Sequence, residues 1–313
     1  MAPARIRPLL WHLGPLLFGR PMHGRERYRP FFIVGSGHCG TTLLRAMLEA
    51  HPGVHIPPEN PLGGVVRDYR RYSRLPWNAV LRVTLGGLAF RHRWELFGLP
   101  LGPLVGKLNA LPPVDRNLAT VLDALYRAHT AQYKPSAERW GDKTPGNVFA
   151  LDALRAVFPD LRVIHMLRDG RDVVRSYMIA TRGDVGGNLP GAAGRWLRAV
   201  HAGRAFGARY PGLYLEVRYE ELVHDPNATS QRVATFLGIE LHERMLRHHE
   251  LDLPLDDIKG FAHLDGVRGP VHKTAIGRWR TTFDAAQITE LHRLMGPTLE
   301  ELGYGVEPEG IGG

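Results

Sequence analysis

The sequence predicts an α/β protein with a mostly parallel central sheet flanked by helices. Three observations support this prediction. Short apolar segments alternate along the chain with amphipathic helical segments, as in parallel sheets whose strands are joined by helices. The segments 31–34 and 162–167 are largely apolar, which is typical of strands buried on both faces. Both segments run directly into a turn rich in glycine or arginine.

The first of these turns has the composition of an anion-binding loop. After strand 31–34 the chain reads Gly35-Ser-Gly-His-Cys-Gly-Thr-Thr42 and continues into an amphipathic helix. The three glycines let the backbone approach a ligand closely, and the helix aims unpaired N–H groups and its positive dipole end at the same point. The spacing is that of a nucleoside-triphosphate loop, but Thr41 stands where that loop has lysine. This difference favours an anion other than a magnesium-bound γ-phosphate.

A carboxylate is expected close to this loop. The helix that begins at Thr41 ends at His51-Pro-Gly53, and a short strand at 54–56 leads into Pro57-Pro-Glu59. We expect this strand to be the parallel neighbour of strand 31–34 in a βαβ unit, which would place Glu59 beside the bound anion. An acidic residue after two prolines also suits a helix start, so a capping role for Glu59 stays open.

Two further strands are expected to end in cationic turns. A short strand from Arg139 turns through Lys143-Thr-Pro145 into a helix that ends near Phe158, and strand 162–167 leads into Arg168-Asp-Gly-Arg-Asp172 and a helix. Because parallel strands end at one edge of a sheet, we expect these cations to lie near the glycine-rich loop. The remaining elements are expected to be helices at 118–134, 196–209, 226–236 and 285–302, a strand at 213–217, and irregular chain at 251–278.

We expect one domain, because 313 residues with 44% hydrophobic content are enough to bury a single full core. Residues 30–305 are predicted to form this domain, with an N-terminal arm at 1–29 and a flexible tail at 306–313. Aromatic and arginine-rich helical pieces, separated by glycine and proline, fill residues 61–115. We interpret them as a helical insertion or lid.

Composition limits the ligand classes and the cellular location. The net charge of +9 and the isoelectric point near 9.9 favour anionic ligands. The arginines are spread out, without a basic run interleaved with aromatic residues, which disfavours nucleic acid. Cys39 is the only cysteine, so an intramolecular disulfide is excluded and we expect a cytoplasmic protein. The sequence has no apolar run of about eighteen residues that would span a bilayer, although the stretch 9–18 leaves weak contact with a membrane surface open.

Taken together, these turns resemble those of the sulfotransferases that use 3′-phosphoadenosine-5′-phosphosulfate (PAPS), most closely a bacterial group similar to tyrosylprotein sulfotransferases. The resemblance covers residues 30–302 and implies a P-loop, nucleotide-kinase-like fold. The first motif of that family reads like P-R-S-G-T-T-L-L-R, and the chain has G-H-C-G-T-T-L-L-R at 37–45. The second motif, R-D-G-R-x-x-x-x-S, is matched in full from Arg168 to Ser176. A family-like D-K-T-P turn is present at 142–145, and a late K-x-x-x-G-x-W pattern at 273–279.

The resemblance implies a role for each matched residue. It implies that the first motif binds the 5′-phosphosulfate, that Arg168 and Ser176 hold the 3′-phosphate, and that Lys143 stabilises charge on the bridging oxygen. It implies that Glu59 is the general base, that Lys273 and Trp279 contact the nucleotide, and that no metal is required. The first-motif residues in question are Gly37, His38, Cys39, Gly40, Thr41 and Thr42. His38 stands where the family has Arg or Lys, which suggests either phosphosulfate binding by imidazolium or acid–base help. Cys39 replaces the usual serine.

Several alternatives stay open. A nucleotide-dependent phosphotransferase would use a similar loop, and a catalytically silent homologue would keep only the nucleotide site. The acceptor hydroxyl could belong to tyrosine, a carbohydrate or a small metabolite. We interpret Arg171 and Arg175 as solvated charges on a helix face, and Trp140 as a core anchor, a role that also stays open for Trp279.

Overall fold

The computed structural model describes residues 19–26, 28–90, 94–181, 188–255 and 267–305. Most of the predicted N-terminal arm, the predicted C-terminal tail and the middle of the irregular 251–278 segment therefore lie outside the described residues. The predicted domain bounds stay a prediction.

A five-stranded parallel sheet forms the centre of the described structure, as the sequence predicted. Its strands are β1 (Phe31–Gly35), β2 (Val54–His55), β3 (Arg139–Lys143), β4 (Arg162–Leu167) and β5 (Tyr214–Arg218), in the spatial order β2-β3-β1-β4-β5. Strand β1 lies in the middle, with Ile33 paired to Lys143 on one side and to Ile164 on the other. The loop that follows β1 is therefore carried by the strand with most support around it.

The predicted pairing of β1 with β2 is wrong. Strand β3 lies between them, and β2 pairs only with β3, through Val54 opposite Arg139 and His55 opposite Trp140. Gly141 on β3 explains part of this arrangement, because a Cβ atom there would lie 2.2 Å from the ring of Phe31. The bare backbone of β3 leaves the space in which the Phe31 ring packs. Glu59 consequently arrives beside the end of β3 rather than beside the end of β1.

Helices cover both faces of the sheet. The described α-helices are α1 (Thr41–Glu49), α2 (Leu62–Tyr72), α3 (Trp77–Ala89), α4 (Leu101–Asn109), α5 (Leu118–Tyr133), α6 (Leu151–Val157), α7 (Gly170–Thr181), α8 (Leu189–Arg209), α9 (Tyr219–His224), α10 (Pro226–Leu237) and α11 (Ala285–Glu301). Short 3₁₀ helices lie at Trp94–Phe97, Pro113–Asp115, Pro145–Ala150, Pro211–Leu213, Glu243–Met245, His248–Glu250 and Arg278–Thr281.

Two helix starts differ from the sequence-based expectation. Helix α8 begins at Leu189, seven residues before the expected start, because the Asn188 side chain accepts a hydrogen bond from Gly191 N at 2.7 Å and Pro190 occupies the first turn. The helix expected after Lys143 is instead a 3₁₀ helix, Pro145–Ala150, followed by α6.

The core is divided into two layers by the alternation of side chains along β1. Phe31 and Ile33 face a layer that contains α1, α7 and α11, whereas Phe32 and Val34 face a layer that contains α5 and the helices of the 61–115 insertion. All five residues of β1 are buried. The apolar run at 31–34 thus reflects a strand with helices on both sides.

Replacing Gly141 by Ala should destabilise the protein by about 1–3 kcal/mol, because the added methyl group meets the Phe31 ring between two paired strands. The free energy of unfolding measured in urea would test this expectation. Gly212→Ala is the matched control, since no atom beyond its two chain neighbours lies within 4 Å of a Cβ built at Gly212. Equal stabilities for the two variants would contradict the packing argument.

Candidate functional site

The loop after β1 adopts a left-handed backbone that only a few residue types tolerate. Gly37, His38 and Gly40 have φ angles of 81°, 54° and 93°. His38 is the one non-glycine residue with positive φ among the residues that the structure describes. A Cβ atom at Gly37 would lie 2.4 Å from the Tyr177 hydroxyl, and one at Gly40 would lie 2.4 Å from the Tyr219 ring. Both glycines are thus required by backbone angle and by space.

Helix α1 begins at this loop with its first turn arranged to receive an anion. Gly40 forms the N-cap without a side-chain cap, and the first turn carries no acidic residue. Thr41 and Thr42 are buried, and the first intrahelical bond to the cap runs from Leu44 N to Gly40 O at 3.2 Å. The N–H groups at the start of a helix have no intrahelical acceptor, and they carry the positive end of the helix dipole.

Lys143 and Glu59 meet at the edge of this loop. The Lys143 side chain is only 2% exposed, and its Nζ donates to Glu59 Oε1 and, at 3.4 Å, to Thr42 Oγ1. The Glu59 side chain is 47% exposed. The structure therefore brings together the end of β3, the segment after β2 and the start of α1, with the cation buried and the carboxylate open to a second molecule.

Arg168 connects the same loop to the segment that follows residue 267. It lies directly after β4, is largely buried, and donates from Nη1 to His38 O at 3.1 Å and from Nη2 to Ala275 O at 2.6 Å. Its guanidinium carbon lies 4.6 Å from the centre of the Tyr219 ring. Its Nε is buried and has no hydrogen-bond partner within the described part of the chain. The Nε–H group of this charged side chain is thus a donor without an acceptor among the described residues.

His38 joins the two predicted anion-binding motifs. Its Nδ1 lies 3.0 Å from Ser176 Oγ, and its ring packs against that of Tyr177 at a centroid distance of 4.3 Å. The Tyr177 hydroxyl donates to Ser36 O. Burial raises the pKa of Tyr177 to about 12, so this hydroxyl stays protonated and remains a donor. The sequence did not indicate that Tyr177 supports the loop, because in the sequence it is only one of several residues on the inner face of helix α7.

Cys39 lies under the loop as a packing residue. It is buried, and burial raises the pKa of its thiol above the usual value, so the thiol stays protonated. Its sulfur leaves no space for a Cβ atom at Gly35, which would lie 2.5 Å away. The small side chain therefore sets how tightly the loop folds back on β1.

The interpretation of Arg171 as a solvated helix-face charge is wrong. Arg171 is fully buried and donates from Nη2 to Asp169 Oδ2 at 2.8 Å and to Tyr304 O at 2.7 Å. Its Nη1 donates to Gly305 O at 3.0 Å, and its guanidinium lies 4.1 Å from the centre of the Trp279 ring. These carbonyl and carboxylate oxygens replace water around the guanidinium. Arg171 thus holds the end of α11 against α7.

The late K-x-x-x-G-x-W pattern is held by helix α7. Asp172 accepts hydrogen bonds from Gly277 N at 2.7 Å and from Trp279 N at 3.0 Å. Trp279 is buried between two guanidiniums, whereas Lys273 is exposed. The geometry makes Trp279 a core anchor, and contact of Lys273 or Trp279 with a nucleotide stays a prediction.

An open cleft of about 590 Å³ adjoins the Arg168 end of the site. Its lining comes from helices α9 and α10 and from Ile276, which follows the carbonyl that Arg168 binds. The other lining residues are Glu220, Glu221, His224, Asp225, Ala228, Thr229 and Arg232. Three of these residues carry carboxylates, but each already has a partner, because Glu220 accepts from Asp169 N, Glu221 pairs with Arg232, and Asp225 accepts from Ala228 N. The lining therefore offers little free charge, which suits a neutral ring better than it suits a phosphate.

Two negative observations apply to the described ranges only. No helix there is long and apolar enough to cross a membrane. No group of three or more His, Cys, Asp or Glu residues in those ranges is placed to hold a metal ion.

The parallel sheet, the left-handed glycine loop at the end of β1 and the buried cations at the ends of β3 and β4 define a P-loop-like α/β protein with a candidate anion site at one sheet edge. The profile described as "Sulfotransferase family" matches residues 30–243. The chain therefore belongs to the sulfotransferase family.

Individual relatives agree with this assignment. A putative protein-tyrosine sulfotransferase of Caenorhabditis briggsae is 26% identical over 280 residues, which cover 87% of this chain and 88% of that protein. Protein-tyrosine sulfotransferase A of Caenorhabditis elegans is also 26% identical, over 90% of this chain and 69% of that protein. The sulfotransferase domain of the Synechococcus PCC 7002 olefin synthase superimposes with a TM-score of 0.62 at 22% identity, covering 90% of this chain and 98% of that one. This last likeness shows the fold.

The correction for Arg171 can be tested by removing its charge. Arg171→Met should lower the free energy of unfolding by about 3–5 kcal/mol, because it leaves the Asp169 carboxylate and two carbonyls without their donor. Arg175→Met on the same helix is the matched control, with an expected loss under about 1 kcal/mol, since Arg175 is only partly buried and makes one side-chain hydrogen bond, to Thr282. Urea denaturation of both variants decides, and a loss of similar size in both would contradict the buried role of Arg171.

Proposed function

We propose that this protein transfers a sulfuryl group from PAPS to an acceptor hydroxyl. The observation that carries the proposal is the meeting of a buried ammonium, Lys143 Nζ, with both the half-exposed Glu59 carboxylate and the Thr42 hydroxyl at the start of α1. Sulfuryl transfer needs a base for the acceptor proton and positive groups for the charge on the leaving oxygen. Here a carboxylate, an ammonium and a helix N-terminus lie next to one another.

When bound, PAPS supplies an electrophilic sulfur and a bisphosphate leaving group. Glu59 accepts the proton of the acceptor hydroxyl as the new S–O bond forms. Lys143, with the first-turn amides of α1, stabilises the negative charge that develops on the bridging oxygen as the old S–O bond breaks. Because Lys143 is already buried, little solvent has to be displaced from it when the donor binds.

Arg168 and Ser176 are the residues we assign to the 3′-phosphate. The buried, unpartnered Nε of Arg168 is a donor that a phosphate oxygen would satisfy, and the Ser176 hydroxyl lies on the helix that follows it. Arginine suits this role because its planar fork matches phosphate oxygens. The cleft beyond Arg168 is our candidate position for the base, whose neutral ring would lie against the cleft lining.

We propose a tyrosine hydroxyl as the acceptor to test first. Two relatives that span most of the chain are protein-tyrosine sulfotransferases by name. The 47% exposure of Glu59 supports the proposal, because an acceptor carried on a large molecule can reach the carboxylate. Transfer to a carbohydrate or to a small metabolite instead would keep the reaction and change only the acceptor.

One comparison separates this function from its two alternatives. A phosphotransferase would bind ATP with magnesium, whereas the proposed enzyme should prefer adenosine 3′,5′-bisphosphate, and calorimetric titration with both ligands distinguishes them. The missing loop lysine, replaced by Thr41, speaks against the phosphotransferase. A silent homologue would bind the bisphosphate without transferring radiolabelled sulfate from PAPS to a tyrosine-containing peptide.

The 3′-phosphate should dominate donor affinity. Adenosine 3′,5′-bisphosphate should bind more tightly than 5′-AMP, and Arg168→Ala should remove most of this difference. Losing a charge-assisted contact of about 1.5–3 kcal/mol corresponds to a weakening of about 10- to 100-fold. Calorimetry measures both affinities, with Arg198→Ala on the exposed side of α8 as the control for net charge. Equal affinities of the unmodified protein for the two nucleotides would refute the assignment.

Glu59→Gln should separate binding from chemistry. The amide keeps the size of the side chain and removes its basicity, so kcat should fall by roughly 10²- to 10⁴-fold while the bisphosphate affinity changes little. Glu138→Gln, which neutralises an exposed glutamate just before β3, is the matched control. Nearly full turnover in the Glu59→Gln variant would leave Glu59 as a helix-start residue, and a collapse of bisphosphate binding would mean that the carboxylate shapes the loop.

A further inference from the structure

We propose that Asp142 is a positioning residue that fixes the segment after β2 and thereby holds Glu59 against Lys143. The proposal rests on the proposed function of Glu59 for its catalytic consequence. The geometry behind it stands independently, since it concerns only how Asp142 orders its neighbours.

Asp142 and Lys143 are consecutive on β3 and therefore face opposite sides of the sheet. Lys143 reaches Thr42 on one side, whereas Asp142 accepts from the Tyr126 hydroxyl of α5 at 2.6 Å on the other. Both side chains are nearly inaccessible to solvent. The strand thus presents a cation to the candidate site and a carboxylate to the structure that supports it.

Asp142 orients two side chains of the turn that follows it. Its Oδ1 accepts from Asn147 Nδ2 at 2.9 Å, and its Oδ2 accepts from Thr144 Oγ1 at 3.3 Å. An ionised carboxylate only accepts hydrogen bonds, so it fixes which atom of each partner points toward it. With its hydrogen directed at Asp142, the Thr144 hydroxyl presents its lone pairs elsewhere, and the Asn147 carbonyl oxygen points away from Asp142.

These two side chains hold the residues that follow Glu59. Asn60 N donates to Thr144 Oγ1 at 2.7 Å, and Leu62 N donates to Asn147 Oδ1 at 3.0 Å. Asn147 Nδ2 also lies 3.2 Å from Asn60 O. Three hydrogen bonds thus tie the backbone at 60–62 to a turn that Asp142 orders. Because Glu59 itself is half exposed, this attachment acts with the ion pair to Lys143 to limit the positions that the carboxylate can take.

The energetics of Asp142 favour a positioning role over a stabilising one. Burial raises the pKa of Asp142 to about 6, against the lowering effect of its hydrogen bonds to Tyr126, Asn147 and Thr144. A carboxyl whose pKa is higher in the folded than in the unfolded state favours folding most when protonated, and this contribution is lost as the pH rises through about 6. At neutral pH its charge therefore works against the fold while it orders the turn.

The test compares Asp142→Asn with Asp123→Asn. Asp123 is a matched control because it is also a buried carboxylate whose pKa is raised by burial. It accepts a hydrogen bond from Trp140 of the same strand but makes none of the hydrogen bonds that hold residues 60–62. The first measurement is native-state hydrogen exchange at the amides of Asn60 and Leu62. We expect at least roughly tenfold faster exchange in Asp142→Asn and unchanged exchange there in Asp123→Asn.

The second measurement is turnover with PAPS and a tyrosine-containing peptide. Asp142→Asn should lower kcat about tenfold or more and leave the bisphosphate affinity within about twofold, because Glu59 is misplaced while the loop is intact. Thr144→Val should reproduce this loss, and Thr144→Ser should rescue it, since serine keeps the hydroxyl that links Asp142 to Asn60 N. If Asp142→Asn does not fold, the comparison of Thr144→Val with Thr144→Ser still tests whether this hydrogen-bonded link positions Glu59.

Three outcomes would overturn the proposal: unchanged exchange at Asn60 and Leu62 in Asp142→Asn, an equal effect in Asp123→Asn, or parallel losses of kcat and bisphosphate affinity. Failure of the unmodified protein to transfer sulfate would instead refute the proposed function. In that case the exchange measurement still decides whether Asp142 fixes the segment after Glu59.

Discussion

The candidate site depends on the cost of burying one ammonium group. Lys143 is 2% exposed, and a charge removed from water is tolerated only where other groups replace its hydration. The Glu59 carboxylate and the Thr42 hydroxyl do so here, and each comes from a different part of the chain. The position of Lys143 thus constrains the start of α1, the end of β3 and the segment after β2 together. An anion that enters this site meets a cation whose surroundings are already arranged.

A second constraint is the central position of β1. Its loop cannot move freely, because Gly37 and Gly40 pack against Tyr177 and Tyr219, and Arg168 binds the carbonyl of His38 between them. The left-handed loop is therefore supported by Arg168 and Tyr219, which directly follow β4 and β5, and by Tyr177 of α7. Since all these strands are parallel, their carboxyl ends supply the loop, the cations and the aromatic supports at one edge.

The fold, and the meeting of the candidate site residues at one sheet edge, could be predicted because their signals are local. An apolar run, a glycine loop and a strand ending at Arg168 can each be recognised within about ten residues. The sequence placed Glu59 and Lys143 each near the glycine loop, because the carboxyl ends of parallel strands meet at one edge, but it placed Glu59 there through a β1–β2 pairing that the structure does not have. Strand order could not be predicted, because β2 pairs through only two residues and the gap for Phe31 is made by Gly141 on another strand. The burial of Arg171 depends on carbonyls more than 130 residues away, which no local pattern reveals.

The contacts that hold the segment 275–279 have a further consequence for sequence change. Arg168 binds the main-chain carbonyl of Ala275, and Asp172 binds the main-chain amides of Gly277 and Trp279. Attachment through peptide groups is independent of which side chains the segment carries, so these contacts place no demand on the side chain of Ile276, which lines the cleft. The length of the segment 275–279, in contrast, is fixed by these contacts. One residue inserted between Ala275 and Gly277 would shift the amides out of register with Asp172, and the wall of the cleft would be lost with every original side chain still present.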